Sequence, residues 1–336
     1  MIDAIAKLVR GESLTEPDAA AAMETIMRGD ATPSQVAGFV IALRMKGETV
    51  EEITGLARTA RAMATPLDVG DGLLDTCGTG GDGLRTFNIS TLAGIVAAAC
   101  GVRVAKHGNR AASSTCGSAD VLEALGVRID LGPSGVTRCI DEAGIGFLFA
   151  PIFHPSFKHA ALPRRELGVR TVFNILGPLC NPAGAQFQAM GVADASLAGK
   201  MAEVLARLGT EHALVFHASD GMDELSTSGP SRVIEVYRGD ISSHELDPAE
   251  LGLPLAPPEA MRGGGPAENA RIVQELLDGA HGPRRDVVLL NAAAALRAAG
   301  LVGEWREGLA RAAEAIDSGR AAGVLARWVD VSQSAA

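Results

Sequence analysis

A chain of 336 residues with 47% hydrophobic and 21% charged side chains is globular rather than disordered and long enough for two domains. Its 40 acidic against 30 basic residues leave a formal net charge of −10, which argues against general nucleic-acid binding. No apolar run is long enough to span a bilayer and Met1-Ile-Asp-Ala4 begins no signal pattern, so no membrane partner and a cytoplasmic location are expected. The five cysteines are too irregularly spaced for a disulfide framework or a zinc cluster, which fits a reducing compartment.

Residues 1–65 read as a small helical domain. Thr32-Pro-Ser-Gln35 and Thr49-Val-Glu-Glu52 are capping boxes, the first opening a helix that Gly47 can stop and the second a helix running towards Met63. Val36, Phe39, Val40 and Leu43 recur at helical spacing. From about residue 72 short apolar strands alternate with helices. Leu73-Leu74 leads into a glycine loop, a helix is expected from Asn88 to about Cys100, a strand at Val102–Ala105 and a helix at Ser118–Leu125 closed by Gly126. The alternation resumes at Gln186–Val192, Leu197–Leu208 and His212–His217, a β-meander follows over 225–246, and Asn269 to about Leu325 is helical again. This order implies an α/β fold with a mostly parallel central sheet over residues 70–155 and 186–336. The cationic, proline-punctuated stretch from His154 to Gly184 reads as a crossover whose part from about 160 to 184 packs on the helical domain. Gly263-Gly-Gly265 is most simply a surface loop.

The chemistry gathers in five places. Asp75-Thr-Cys-Gly-Thr-Gly-Gly-Asp82 puts three glycines within four residues, so the backbone can approach a ligand without a Cβ in the way. The segment spells G-x-G-x-x-G, but its helix begins only near Asn88, and Arg103 and Lys106 stand where a dinucleotide site places an acid. Asn88-Ile-Ser-Thr91 is expected to cap that helix with Asn88 and to present N–H groups to an anion. Lys106-His-Gly-Asn-Arg110 and the hydroxyls of Ser113 and Ser114 follow a strand, where loops of open α/β sheets form the ligand crevice. A second cationic cluster holds Lys158, Arg164, Arg165 and Arg170. Asp223-Glu224 supplies carboxylates of the kind that bridge Mg²⁺ to phosphate oxygens. Cys77 reads as an inert buried thiol, and His107, His154 and His159 as hydrogen-bonding or structural residues.

Together these blocks resemble the anthranilate phosphoribosyltransferase family. The resemblance runs from Thr32-Pro-Ser-Gln35 through Cys77–Asp82, Thr86–Thr91, Lys106–Ser114, Gly117–Gly126, His154-Pro155, Arg164–Gly168, Asn174–Pro178 and Asn181-Pro182 to Gly221-Met-Asp-Glu224. It implies a helical domain joined to an α/β domain of the nucleoside-phosphorylase type, a homodimer formed through the helical domains, and transfer of the phosphoribosyl group of 5-phosphoribosyl 1-pyrophosphate to anthranilate with Mg²⁺. By the same resemblance Gly78, Gly81, Asp82, Thr86, Asn88, Ile89, Ser90 and Thr91 line the phosphoribosyl pyrophosphate site. Lys106, His107, Gly108, Asn109, Arg110, Ala111, Ala112, Ser113, Ser114 and Ser118 complete it. Ser90, Asp223 and Glu224 serve the metal, and Lys106, Asp223 and Glu224 carry the catalysis. Gly78, Asn109 and Arg164 hold anthranilate, with His107 and Pro178 along its path. Arg164 suits a carboxylate because the guanidinium fork binds it bidentately. Phe157 and Cys180 depart from the Met and Thr of the family pattern and bear on the shape of the anthranilate channel. The alternatives are a pyrimidine nucleoside phosphorylase of similar architecture and a non-catalytic nucleic-acid-binding relative.

Overall fold

The computed structural model describes residues 1–111 and 115–335. Four helices, Ile2–Val9, Glu16–Arg28, Pro33–Lys46 and Val50–Ala62, open the chain. Both capping boxes form, with the side chains of Thr32 and Thr49 each accepting the N–H three residues on and Gln35 and Glu52 reaching back. Glu52 does more than cap. Wholly buried, it accepts the Leu14 N–H at 2.8 Å and pairs with Lys46 at 2.9 Å, so one carboxylate fastens three segments of the bundle.

One seven-stranded sheet follows, made of β1 (Leu73–Asp75), β2 (Arg103–Gly108), β3 (Ile145–Phe149), β4 (Phe187–Gly191), β5 (His212–Ala218), β6 (Ser231–Tyr237) and β7 (Asp240–Leu246). Its order is β3-β2-β1-β4-β5-β6-β7, parallel through β5 and antiparallel beyond. The meander lies at β5–β7, where Arg238 and Gly239, both at positive φ (50° and 92°), make the tight turn between the last two strands. The sequence expectation omitted β3 and the helix Pro133–Ala143 before it, which form the far edge of the sheet.

Alternate strand residues feed two cores. Leu214, Phe216 and Val233 face the helices Ile89–Ala99 and Pro283–Ala298, whereas Ala213, Val215 and Ile234 face Ala195–Arg207 and, beyond it, the N-terminal helices. Ala160, Phe173, Leu176 and Leu179 of the crossover belong to this second core. Strand order reverses between β1 and β4, so the loops leaving their carboxyl ends part and leave a crevice, the usual ligand position in such sheets. No helix of the described residues is long and apolar enough to cross a membrane.

Candidate active site

At that crevice lies a cleft of about 890 Å³, with an adjoining cavity of about 330 Å³ sharing its wall, a size suited to small organic ligands. Every described residue that the resemblance assigns to the donor, the metal or anthranilate lines one or both spaces, whereas Arg103, His154, Lys158, His159 and Cys180 line neither. Ala112, Ser113 and Ser114 lie outside the described residues.

Asp75, the last residue of β1, organises the floor. Its buried Oδ1 accepts the N–H groups of Cys77 (3.0 Å) and His107 (3.1 Å), and Oδ2 accepts the Asn181 amide at 2.8 Å. The glycine loop, the end of β2 and the crossover thus meet on one carboxylate. Burial lifts its pKa to about 6, against the pull of the Lys106 charge. Asp75, Cys77 and His107 offer ligand atoms within 4.8 Å of one another, but Asp75 is already saturated with donors and burial pushes the Cys77 thiol well above its usual range. That cluster is structural.

The glycine loop then crosses towards β4. Thr79 donates its N–H to Gly191 at 2.9 Å, and the Gly80 N–H reaches Asp223 Oδ2 at 2.6 Å while the Gly80 carbonyl accepts from Arg170 at 2.9 Å. A Cβ on Gly78 would come within 2.9 Å of the Gly191 carbonyl, and Gly81, at φ +83°, has the Arg170 guanidinium where its side chain would be. Arg170, expected only as part of a cationic cluster, is therefore the residue that covers the loop.

Three carboxylates converge here. Asp82 Oδ2 accepts the Asp223 N–H at 3.4 Å, and Glu224 Oε1 accepts the Ser90 N–H at 3.2 Å. Burial first, then mutual repulsion among Asp82, Asp223 and Glu224, pushes Asp223 and Glu224 upward, opposed by Arg170 and Lys106 respectively. Neither makes an ion pair among the described residues. Half-buried oxygen donors without an ion-pair partner among the described residues are the donor set a hard divalent cation takes.

Lys106 is 2% exposed and gives its ammonium to the Thr76 carbonyl (3.2 Å) and hydroxyl (3.1 Å), between the acids and Asp75. Asn88 precedes the helix Ile89–Ala99 without capping it. Its amide donates to the Cys116 carbonyl at 3.3 Å and accepts from Asn269 at 2.9 Å, so distant partners outcompete the local cap. In that first turn the Ile89 N–H bonds the Phe87 carbonyl at 2.7 Å and the Ser90 N–H goes to Glu224, while both residues line the cleft beside Thr86. Asn109 Oδ1 accepts the Arg110 N–H, Ser118 Oγ donates to the Asn109 carbonyl, and Arg110 is held by Asp120 and Glu123 at 3.0 and 2.9 Å. Gly263 is not merely a surface turn: a Cβ there would meet Phe87 at 2.7 Å.

The other wall comes from the crossover. His107 Nδ1 lies 3.0 Å from the Gly177 carbonyl and His154 Nε2 lies 2.8 Å from that of Cys180; each ring's second nitrogen is buried without a partner. Burial holds their pKa values down to about 3 and about 4, so both rings are neutral. The two rings stand 5.1 Å apart, and His154, Phe157 and Phe173 continue as a run of ring contacts. Phe157 lines the cavity, whereas Cys180 is buried behind it. Arg164 stacks over Phe173 at 5.4 Å, partly buried and without an ion pair among the described residues. One unpaired guanidinium thus overlooks an aromatic slot beside Asn109 and Pro178.

Residues 70–322 match the glycosyl transferase family, a/b domain, and residues 2–64 its helical bundle domain. This defines the class as a two-domain glycosyl transferase. Anthranilate phosphoribosyltransferase 2 of Streptomyces coelicolor is 59% identical over 95% of this chain and 96% of its own. The crystal structure of anthranilate phosphoribosyltransferase from Thermus thermophilus superposes with a TM-score of 0.93 at 49% identity, covering 98% of this chain and 99% of that one. The Saccharomyces cerevisiae enzyme, solved in complex with PRPP and Mg, gives 0.92 at 30% identity, over 99% and 98% of the two chains. The chain belongs to the anthranilate phosphoribosyltransferase family. Neither alternative reading is favoured by these matches.

Proposed function

We propose that this chain transfers the phosphoribosyl group of 5-phosphoribosyl 1-pyrophosphate to the amine of anthranilate, releasing pyrophosphate, as a step of tryptophan biosynthesis. The observation that carries the reading is the pairing, across one cleft, of a half-buried acid cluster under a glycine loop with an aromatic slot that ends in a guanidinium without an ion pair among the described residues. The first suits a metal-bound pyrophosphate and the second a small aromatic carboxylate.

In this reading Asp223 and Glu224, with Ser90 beside them, hold Mg²⁺, which supplies charge neutralisation to the leaving pyrophosphate. The yeast relative's Mg complex supports this, as does the upward push on the two carboxylates. Gly78, Gly81, Asp82, Thr86, Asn88 and the first turn at Ile89–Thr91 cradle the donor. The segment Lys106–Ala111 and Ser118 close its other side, with Lys106 placing a buried ammonium beside the developing charge. Arg164 grips the anthranilate carboxylate, Asn109 and Gly78 border its ring, and His107 and Pro178 line its approach. The C1–oxygen bond to pyrophosphate breaks as the amine nitrogen forms its bond to C1 from the opposite face. Positioning and charge stabilisation supply the catalysis, with no covalent enzyme intermediate. Closure of the helical domain (residues 1–65, with 160–184) on the α/β domain excludes water.

The reading extends to a homodimer through the helical domain, where Ile2, Val9 and Met45 are 70%, 73% and 84% exposed. None of the five cysteines is in a disulfide, which supports a reducing, cytoplasmic setting. Following anthranilate fluorescence with the donor and Mg²⁺ tests the activity. Loss of the signal is expected; a stable signal alongside phosphorolysis of a pyrimidine nucleoside would overturn it.

A further inference from the structure

Asp223 and Glu224 sit on the irregular connection between β5 and β6. A loop that brings mutually repelling carboxylates together in the cleft must be held from outside, and it is held on both flanks. Ahead of the pair, Asp220 Oδ1 accepts the Met222 N–H at 3.0 Å, while Oδ2 accepts the Ser226 hydroxyl at 2.7 Å and that of Ser228. Behind it stands Asn291, 66 residues away in sequence, on the helix Pro283–Ala298. Its Oδ1 accepts the Leu225 N–H at 3.0 Å and its Nδ2 donates to the Leu225 carbonyl at 2.8 Å, with a further bond to Val287 at 2.9 Å. The amide thus takes both backbone groups of the residue after Glu224, as a neighbouring strand would.

Asn291 is 3% exposed and interrupts an otherwise apolar helix face running from Val287 to Leu296. A buried amide is costly unless it is hydrogen-bonded, and here two of its three bonds go to the loop backbone at Leu225 and the third to the Val287 carbonyl of its own helix. Leu225 and Met222 anchor the same turn in the core, both wholly buried. We infer that Asn291 is a positioning residue for the reaction: by fixing the Leu225 backbone it fixes the directions of Asp223 and Glu224, and so sets the affinity for the divalent cation and its pyrophosphate. This rests on the function proposed above.

The test compares the full chain with Asn291→Leu, which keeps the volume and removes the amide, and with Asp220→Ala, which opens the other flank. Calorimetric titration with magnesium–phosphoribosyl pyrophosphate and a magnesium titration of turnover are the readouts. Loss of a partner that orients metal ligands weakens metal binding by about 10-fold or more. Asn291→Leu should therefore raise both the dissociation constant and the half-saturating magnesium by that factor, while the KM for anthranilate moves less than about 2-fold. Asp220→Ala should show a smaller shift of the same kind. A purely structural role would lower melting temperature and turnover per chain while leaving magnesium half-saturation in place, and that result overturns the inference. Should Asn291→Leu fail to fold, an unshifted Asp220→Ala overturns it equally. A wild-type chain with no magnesium dependence would instead overturn the functional reading, and this inference with it.

Discussion

On the donor side of the cleft the wall is mostly backbone. Gly80 is gripped at its N–H by Asp223 and at its carbonyl by Arg170, Thr79 is tied to Gly191, and Leu225 is tied to Asn291. On the side proposed for the acceptor the wall is side chain: His107, Phe157 and Phe173 line it, with the ring of His154 buried behind in contact with His107 and Phe157, and it ends under Arg164. The first wall is charged and short of cations; the second is neutral with one spare cation. The backbone wall leaves no room for a Cβ at Gly78 and Gly81, whereas a side-chain wall can be edited one contact at a time. In the proposed reading the donor meets the first wall and the acceptor the second.

The largest break should come from Asp223→Asn with Glu224→Gln. Turnover is expected to fall by about 10³-fold, the scale of removing electrostatic stabilisation of a developing charge, with the far-ultraviolet dichroism spectrum unchanged. Near-normal turnover across a magnesium titration would remove the pair from the mechanism. Next, Gly78→Ala drives a Cβ to within 2.9 Å of the Gly191 carbonyl. Because backbone must shift to admit it, kcat/KM for the donor should drop about 10²-fold; an unaffected variant would mean that the loop yields freely.

The two walls should also answer pH in opposite directions. His107 and His154 are held from an ordinary 6.5 down to about 3 and about 4, so they favour the fold while neutral. Their contribution is present above 6.5 and is lost as pH falls towards those values. Asp223 and Glu224 are raised, so their fold-favouring form is the protonated one, and what they contribute is lost as pH rises through their raised range. Melting curves should show His154→Gln blunting the loss of stability on acidification. Magnesium should raise the melting temperature on the alkaline side and have little effect in acid. A magnesium effect independent of pH would contradict the assignment of the raised groups.

Local signals carried far into this structure. Thr32 and Thr49 cap as their spacing implies, and the residues of Gly78–Asp82 and Lys106–Ala111 all reach the cleft because each block leaves the carboxyl end of a strand. The failures are of another kind. Gly146 within β3 and the absence of alternation hid an edge strand whose neighbours are visible only in three dimensions. Asn88 has the chemistry of a cap, yet Cys116 and Asn269, distant in sequence, claim its side chain. Asp75, Arg170 and Asn291 act on backbone 32, 90 and 66 residues away. Asp75 stands at the head of the glycine segment and Arg170 in the second cationic cluster, but nothing local marks these roles, because the partners that give them are assembled by the sheet.

The division of labour between the walls is tested most directly by measuring both Michaelis constants in a pair of variants, Arg164→Ala on the acceptor side and Gly81→Ala on the donor side. Arg164→Ala should raise the KM for anthranilate by about 10-fold or more, the cost of an unpaired carboxylate, and leave that for the phosphoribosyl donor within about 2-fold. Gly81→Ala, strained at φ +83° and crowding Arg170, should do the reverse. Equal changes in both constants, in either variant, would contradict the account.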